Sequence, residues 1–152
     1  MGEDLVRNRK AFHNYHVLET WEAGIALQGT EVKSLRAGLG QLQDAYVDAV
    51  EGELWLKQAH ISPYEFGTYA NHDPLRARKL LLHKSEIRKL TELANVKGNT
   101  LVPLAFYWKN GKVKVSIGVG KGKAEFDKRD DIKQRESDRE LKRMTMKTLK
   151  GR

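Results

Sequence analysis

Lysine and arginine are the side chains whose number and spacing best indicate a chemistry in this sequence. Residues 76–90 contain six of them against one acid, Glu86. A second basic group comprises Lys112, Lys114, Lys121, Lys123, Lys128 and Arg129. Tyr107, Trp108 and Phe126 are interleaved with this group, and aromatic rings beside cations can stack on bases while the cations bind phosphates. The pattern favours a nucleic-acid partner, and a solvated basic face is the simple alternative.

Catalytic and metal-binding patterns are weak by comparison. The chain has no cysteine, which excludes a disulfide framework, a cysteine zinc site and a thiol nucleophile. Its five histidines form no His-Glu-x-x-His motif, and Asn71-His-Asp-Pro is typical of a turn. The run Gly118-Val-Gly-Lys-Gly-Lys-Ala has alanine where a phosphate-binding loop needs serine or threonine. We therefore predict that the protein is not an enzyme and uses no metal or cofactor, with a nucleotide-dependent enzyme built on the Gly-Lys run as an alternative.

The composition indicates one small domain with an anionic partner. The chain has 152 residues, a formal net charge of +8 and only 39% apolar residues. No apolar run is long enough to span a membrane, and the first residues lack the basic and then apolar pattern of a secretory signal. We expect a cytoplasmic protein with no membrane partner, whose basic excess attracts a polyanion.

The elements that must position these side chains are mostly strands. Apolar residues from 15 to 27, broken by a glycine, predict one bent strand or two short ones. Extended stretches around Gly52 and around Asn110-Gly111 predict two hairpins, and apolar spacing predicts helices after Thr30 and over residues 84–97. The fold class is therefore mainly β with flanking α-helices. An antiparallel β-barrel of the oligonucleotide-binding type (OB-fold) with a basic C-terminal tail is the most economical arrangement.

Three segments differ from this body. The first ten residues are polar and basic and predict a flexible N-terminal arm, whereas residues 62–78 predict a long loop before a buried strand at Leu80-Leu-Leu. Residues 127–152 carry ten basic and six acidic side chains and no aromatic one, so they cannot bury enough apolar area to join the core. We predict a β-barrel domain with its arm over residues 1–126, and a tail over 127–152 that is disordered alone and helical on a negatively charged surface.

Four long motifs identify a resemblance. They are Asn8-Arg-Lys-Ala-Phe-His-Asn-Tyr, Glu22-Ala-Gly-Ile-Ala-Leu-Gln-Gly-Thr-Glu-Val-Lys-Ser-Leu-Arg-Ala-Gly, Asn71-His-Asp-Pro-Leu-Arg-Ala-Arg-Lys-Leu-Leu-Leu-His-Lys and Lys121-Gly-Lys-Ala-Glu-Phe-Asp-Lys-Arg. In this order they closely resemble the small protein B family, the bacterial SsrA-binding proteins. The resemblance implies an OB-type barrel that binds the tRNA-like domain of transfer-messenger RNA (SsrA) and delivers it to stalled ribosomes for trans-translation. The tail would probe the decoding site and the empty mRNA channel and become helical on the ribosome, and the free protein would be a monomer.

The resemblance also implies roles for particular residues. Those that would bind transfer-messenger RNA are Glu22, Leu81, His83 and Lys114. Those that would contact the ribosomal decoding site are His13, Lys121, Lys123, Phe126, Asp127, Lys128 and Arg129. The chain departs from the family pattern at Ala124, where a second lysine is usual, and at Phe126, where tyrosine or histidine is usual. A general single-stranded nucleic-acid-binding barrel is the alternative function, and its binding would not require a folded tRNA-like RNA.

Overall fold

The computed structural model of the chain describes residues 3–67 and 71–122. In chain order its elements are β1 (Glu3–Arg7), α1 (Arg9–Asn14), β2 (Tyr15–Ile25), α2 (Gly29–Arg36), β3 (Gly40–Gln41), β4 (Tyr46–Val50), β5 (Glu53–Lys57), β6 (His60–Ile61), β7 (Arg78–Leu81), α3 (Lys84–Ala94), β8 (Asn99–Lys109) and β9 (Lys112–Gly122). The predicted tail, residues 127–152, lies outside the described residues.

Seven strands form one antiparallel sheet in the order β1-β8-β9-β2-β7-β5-β4, and β3 and β6 form a separate pair. Among the described residues the ladder does not close, because its two edge strands, β1 and β4, are not hydrogen-bonded to each other. The sheet nevertheless curls until Cα atoms of β4 come within 8 Å of β8. The prediction of a mainly β fold is confirmed, but the predicted barrel is an open, curled sheet. The reason is that β1 occupies the free edge of β8 over residues 105–108.

Residues 3–10 form β1 and the start of α1, which makes the prediction of a flexible N-terminal arm wrong. Leu5 and Val6 of β1 pack against the core. Asn8 is buried, its side-chain oxygen accepts a hydrogen bond from the Ala11 amide at 3.1 Å, and its Nδ2 donates to the carbonyls of Leu42 (2.9 Å) and Pro103 (2.8 Å). These bonds satisfy the buried amide and attach the segment to two distant parts of the chain.

The predicted hairpins and helices are confirmed. Both central residues of the β4–β5 and β8–β9 turns have positive φ, including Asn110 at 53° and Gly111 at 73°, as a two-residue primed turn requires. The helix predicted after Thr30 begins two residues earlier than expected, at Gly29, and the later helix ends at Ala94 rather than at residue 97. The 11-residue β2 is a single strand, with its register irregularity at Val17–Glu19 rather than at the glycine.

A buried ion network attaches α2 to the segment that enters β7. Glu31 and Arg78 are fully buried, and the carboxylate accepts hydrogen bonds from Arg76 and Arg78. Arg78 also donates to the carbonyl oxygens of Ala59 at 2.7 Å and Pro74 at 3.1 Å. Burial raises the pKa of Glu31, but hydrogen bonds from the two arginines and from the Gln28 amide outweigh it and leave the pKa below its ordinary value. The network fixes the start of β7.

The long loop before β7 is confirmed and is tightly packed where it is described. His72 is buried; its Nδ1 lies 2.8 Å from the Thr30 hydroxyl, and its Nε2 lies 2.8 Å from the Ile61 carbonyl oxygen. Asn71 donates to the carbonyl of Tyr64 at 2.9 Å and accepts from the Tyr64 amide at 3.1 Å. The Asn-His-Asp-Pro motif therefore holds the loop against α2, so that β7 starts from a fixed point.

Candidate nucleic-acid interface

The centre of the candidate site is the end of β2, where this strand is paired on both sides. Gly24 faces Lys114 on β9 and Leu81 on β7. A Cβ atom at Gly24 would lie 3.2 Å from the Cβ of Leu81, which is tighter than ordinary packing allows without displacement. Glycine at this position therefore permits the close approach of β7 and leaves open space above the strand.

This space is a cleft of about 490 Å³, which we call the β2 cleft. Its lining consists of Glu22, Gly24, Leu81, Leu82, His83, Glu86 and Lys114. All four residues predicted to bind RNA are in this set, although they come from three strands and the loop after β7. Their convergence is a finding of the structure, and their role in RNA binding stays a prediction.

Leu81 is exposed rather than buried, which corrects the prediction that the whole Leu80-Leu-Leu run is a buried strand. β7 alternates: Arg78 and Leu80 face the interior, whereas Lys79 and Leu81 face outward. Half of the Leu81 side chain is accessible (51%). An exposed leucine beside Lys114 gives the cleft an apolar surface next to a cation, and this combination suits a base attached to a phosphate.

The Glu22 carboxylate is held by two neighbours that sequence reasoning did not assign to the site. The Tyr107 hydroxyl donates to Glu22 Oε2 at 2.6 Å, and Lys109 Nζ donates to the same oxygen at 2.9 Å. The hydrogen bond from Tyr107, followed by that from Lys109, lowers the pKa of Glu22 below its ordinary value. Burial, reinforced by the anionic Glu22, raises the pKa of Tyr107. Glu22 is therefore ionised at neutral pH.

A carboxylate on a basic surface selects among the groups of a nucleic acid. It repels phosphates and accepts hydrogen bonds from base N–H groups or from a 2′-hydroxyl. The hairpin turn pairs Tyr107 with Lys114 and puts Tyr107 and Lys109 on one face of β8. Their contact with Glu22 also requires the register of β2 on β9, which no local sequence signal reports.

The basic run from residue 76 to 90 divides into a structural and an exposed part. Arg76 and Arg78 form ion pairs with Glu31, and Lys79 forms an ion pair with Glu53 at 2.7 Å. Lys84, Arg88 and Lys89 on α3 are exposed. The exposed His83 precedes this helix, and its backbone amide donates to Glu86 at 3.0 Å. Apart from the paired Lys79, the exposed charge of the run therefore lies on α3, the helix that follows His83 of the β2 cleft.

Two residues predicted for the decoding site are described, His13 and Lys121, and they lie at the other end of the β2–β9 pair. His13 is exposed on α1, which leads directly into β2, and His16 faces Lys121 across the ladder. Eight residues separate His16 from Gly24, which corresponds to about 25 Å along the strand. Lys123, Phe126, Asp127, Lys128 and Arg129 lie outside the described residues, so their predicted role has no structural test.

Other classes of site are not found in the ranges 3–67 and 71–122. No group of three or more histidine or acidic side chains in these ranges could hold a metal ion. Within them no helix combines the length and the apolar character needed to cross a bilayer.

Comparison with known proteins gives one consistent result. The model of the SmpB protein family matches residues 5–147. An SsrA-binding protein from Geobacillus is 55% identical over 142 residues, which is 93% of this chain and 92% of that protein. The SsrA-binding protein of Bacillus subtilis is 51% identical over 150 residues, covering 99% of this chain and 96% of its own.

A solved structure supports the same relationship. It is described as "tmRNA-SmpB: a journey to the center of the bacterial ribosome", and it is 53% identical with a TM-score of 0.67. The match covers 77% of this chain and 82% of that chain. The extent of these matches, together with the motifs that line the β2 cleft, establishes that the chain belongs to the SmpB protein family.

Proposed function

We propose that this protein is an RNA-binding ribosome-rescue factor. It binds the tRNA-like domain of transfer-messenger RNA and delivers it to stalled ribosomes for trans-translation. The observation that carries the proposal is the convergence of Glu22, Leu81, His83 and Lys114 in one cleft. The SsrA-binding relatives and the tmRNA-SmpB structure support it. The protein acts as a binding factor rather than as an enzyme, and it acts in the cytoplasm as a monomer until it meets its RNA.

The curled sheet is the part of the protein that recognises a folded RNA. We assign it to the OB type, opened at one edge, with Lys114 of β9 and the exposed Leu81 of β7 presented to the RNA. A folded RNA is recognised by shape, by phosphates and by unstacked bases. The β2 cleft offers Lys114 for phosphate, Leu81 for apolar contact and Glu22 for a hydrogen-bond donor.

The opposite end of the ladder and the tail engage the ribosome. His13, Lys121 and the basic residues up to Arg129 contact the decoding site, and residues beyond them enter the empty mRNA channel. A cationic segment without a core can offset its ordering entropy with many phosphate contacts, and it fits the channel only where no message is present. The tail would then become helical on the ribosome.

A gel-shift experiment tests the RNA-binding part. The tRNA-like domain and an unstructured RNA of equal length are compared at matched salt. We expect Lys114→Ala to weaken binding of the tRNA-like domain, and Lys97→Ala, at an exposed position outside the cleft, to leave it unchanged. Equal binding of the two RNAs, with no effect of Lys114→Ala, would instead support a general single-stranded nucleic-acid-binding protein.

A further inference from the structure

A second cavity opens beside the β2 cleft, and we call it the Trp108 slot. Its volume is about 310 Å³, at the lower end of the range for small-ligand sites. It shares Gly24, Leu81 and Lys114 with the β2 cleft. A ligand bound in the cleft therefore lies next to the slot.

The walls of the slot are apolar and its rim is cationic. Ile25, Leu27, Val32 and Trp108 contribute the walls, whereas Lys112 and Lys114 lie at the rim. The Arg36 guanidinium lies 4.3 Å from the centroid of the Trp108 ring, and this cation–π contact holds the indole in place.

Strand pairing explains why this apolar surface is uncovered. Trp108 faces Val113 across the β8–β9 hairpin, close to its turn. β2 accompanies β9 only as far as the Gly24–Lys114 pair, so within the described residues no strand pairs with the hairpin tip on that side. Trp108 and Val32 are consequently only half-buried, although both pack against the core.

We propose that the Trp108 slot binds one unstacked nucleobase of the RNA held in the β2 cleft. A nucleobase surrounded by aromatic and aliphatic side chains gains stacking and apolar contact. The backbone phosphates on either side of that base can then reach Lys112 and Lys114. The two lysines favour an anionic chain over an apolar peptide as the occupant. The inference rests on the proposed function, because it requires that RNA occupies the cleft.

Trp108 fluorescence provides the direct test. In a protein carrying Trp21→Phe and Trp55→Phe, Trp108 is the only tryptophan left. Titration with the tRNA-like domain of transfer-messenger RNA should quench its emission by more than half at saturation, with binding followed in parallel by gel shift. Binding without a change in emission would overturn the slot and leave the proposed function standing. A complete lack of binding by the wild-type protein would overturn both.

Two further measurements distinguish a base stacked in the Trp108 slot from RNA that only lies near Trp108. Val32→Phe fills the slot and should weaken binding about tenfold, the scale of one lost base stack. Val50→Phe adds the same ring on the edge strand β4, outside both cavities, and should have no effect. Abasic substitution along the RNA, with the wild-type protein, should identify one position that weakens binding to the same extent. Unchanged affinity in both experiments would overturn the proposal even if Val32→Phe altered the fold.

Discussion

The two ends of the β2–β9 pair are built in different ways. At the β2 cleft, the predicted RNA contacts Glu22, Leu81 and Lys114 belong to three strands. They meet only because of the sheet register. Most of the predicted ribosome contacts are instead neighbours in sequence, between residues 121 and 129. Under the proposed function, we expect RNA recognition to depend on the folded sheet and ribosome engagement to depend mainly on a local run of charge.

Removal of residues 141–152 should separate RNA binding from ribosome engagement more strongly than any other change. This segment has five basic side chains and no acidic one, whereas the predicted RNA contacts all lie between residues 22 and 114. We expect affinity for the tRNA-like domain to be nearly unchanged and peptide tagging on stalled ribosomes to be abolished. Gel shift and an in vitro tagging assay measure the two effects. Tagging at the normal rate by the shortened protein would refute this separation.

Loss of the buried Arg78 should lower the stability of the fold that positions the β2 cleft. Arg78→Leu removes one partner of the fully buried Glu31, and breaking a buried ion pair in this way costs about 3 to 5 kcal/mol. The exposed Arg88→Leu is the matched control and should cost less than about 0.5 kcal/mol. Urea denaturation monitored by circular dichroism gives both free energies of unfolding. Equal values would show that the network does not stabilise the fold.

A smaller effect, on the pKa of Glu22, is expected when the hydrogen bond from Tyr107 is removed. Since this bond is the main cause of the lowered pKa of Glu22, Tyr107→Phe should move that pKa upward, towards its ordinary value. A carboxyl whose pKa is lower in the folded than in the unfolded protein stabilises the fold above the unfolded value. That contribution is lost as the pH falls through the folded value. Titration of the ¹³C-labelled glutamates by NMR measures the pKa shift. An unchanged Glu22 pKa in Tyr107→Phe would contradict the assignment of this hydrogen bond as the main cause.

Local signals in the sequence predicted much of the fold. Asn110-Gly111 specifies a primed turn through its own backbone preferences, and the apolar spacing of α3 specifies its buried face. The N-terminal segment could not be predicted in this way. The partners of Asn8 at Leu42 and Pro103 are 34 and 95 residues away, and no local pattern reports them.

The candidate site shows the same limit. The family resemblance placed Leu81 on the RNA-binding surface, whereas the apolar run around it predicted a buried strand. The structure shows the side chain half exposed. Exposure of Leu81 follows from its strand alternation and from the absence of a side chain at Gly24, both of which require the register of β7 on β2. The Tyr107 and Lys109 contacts to Glu22 likewise depend on how β8, β9 and β2 are aligned.

The central claim, that the two ends of the ladder have separate functions, is tested most directly by RNA affinity in two single variants. Leu81→Glu puts a charge on an exposed position of the β2 cleft, and His13→Ala removes an exposed imidazole at the other end. With both variants shown to be folded by circular dichroism, we predict that Leu81→Glu loses at least tenfold in affinity for the tRNA-like domain and that His13→Ala keeps the wild-type value. Equal losses in the two variants, or wild-type affinity for a folded Leu81→Glu protein, would contradict the account.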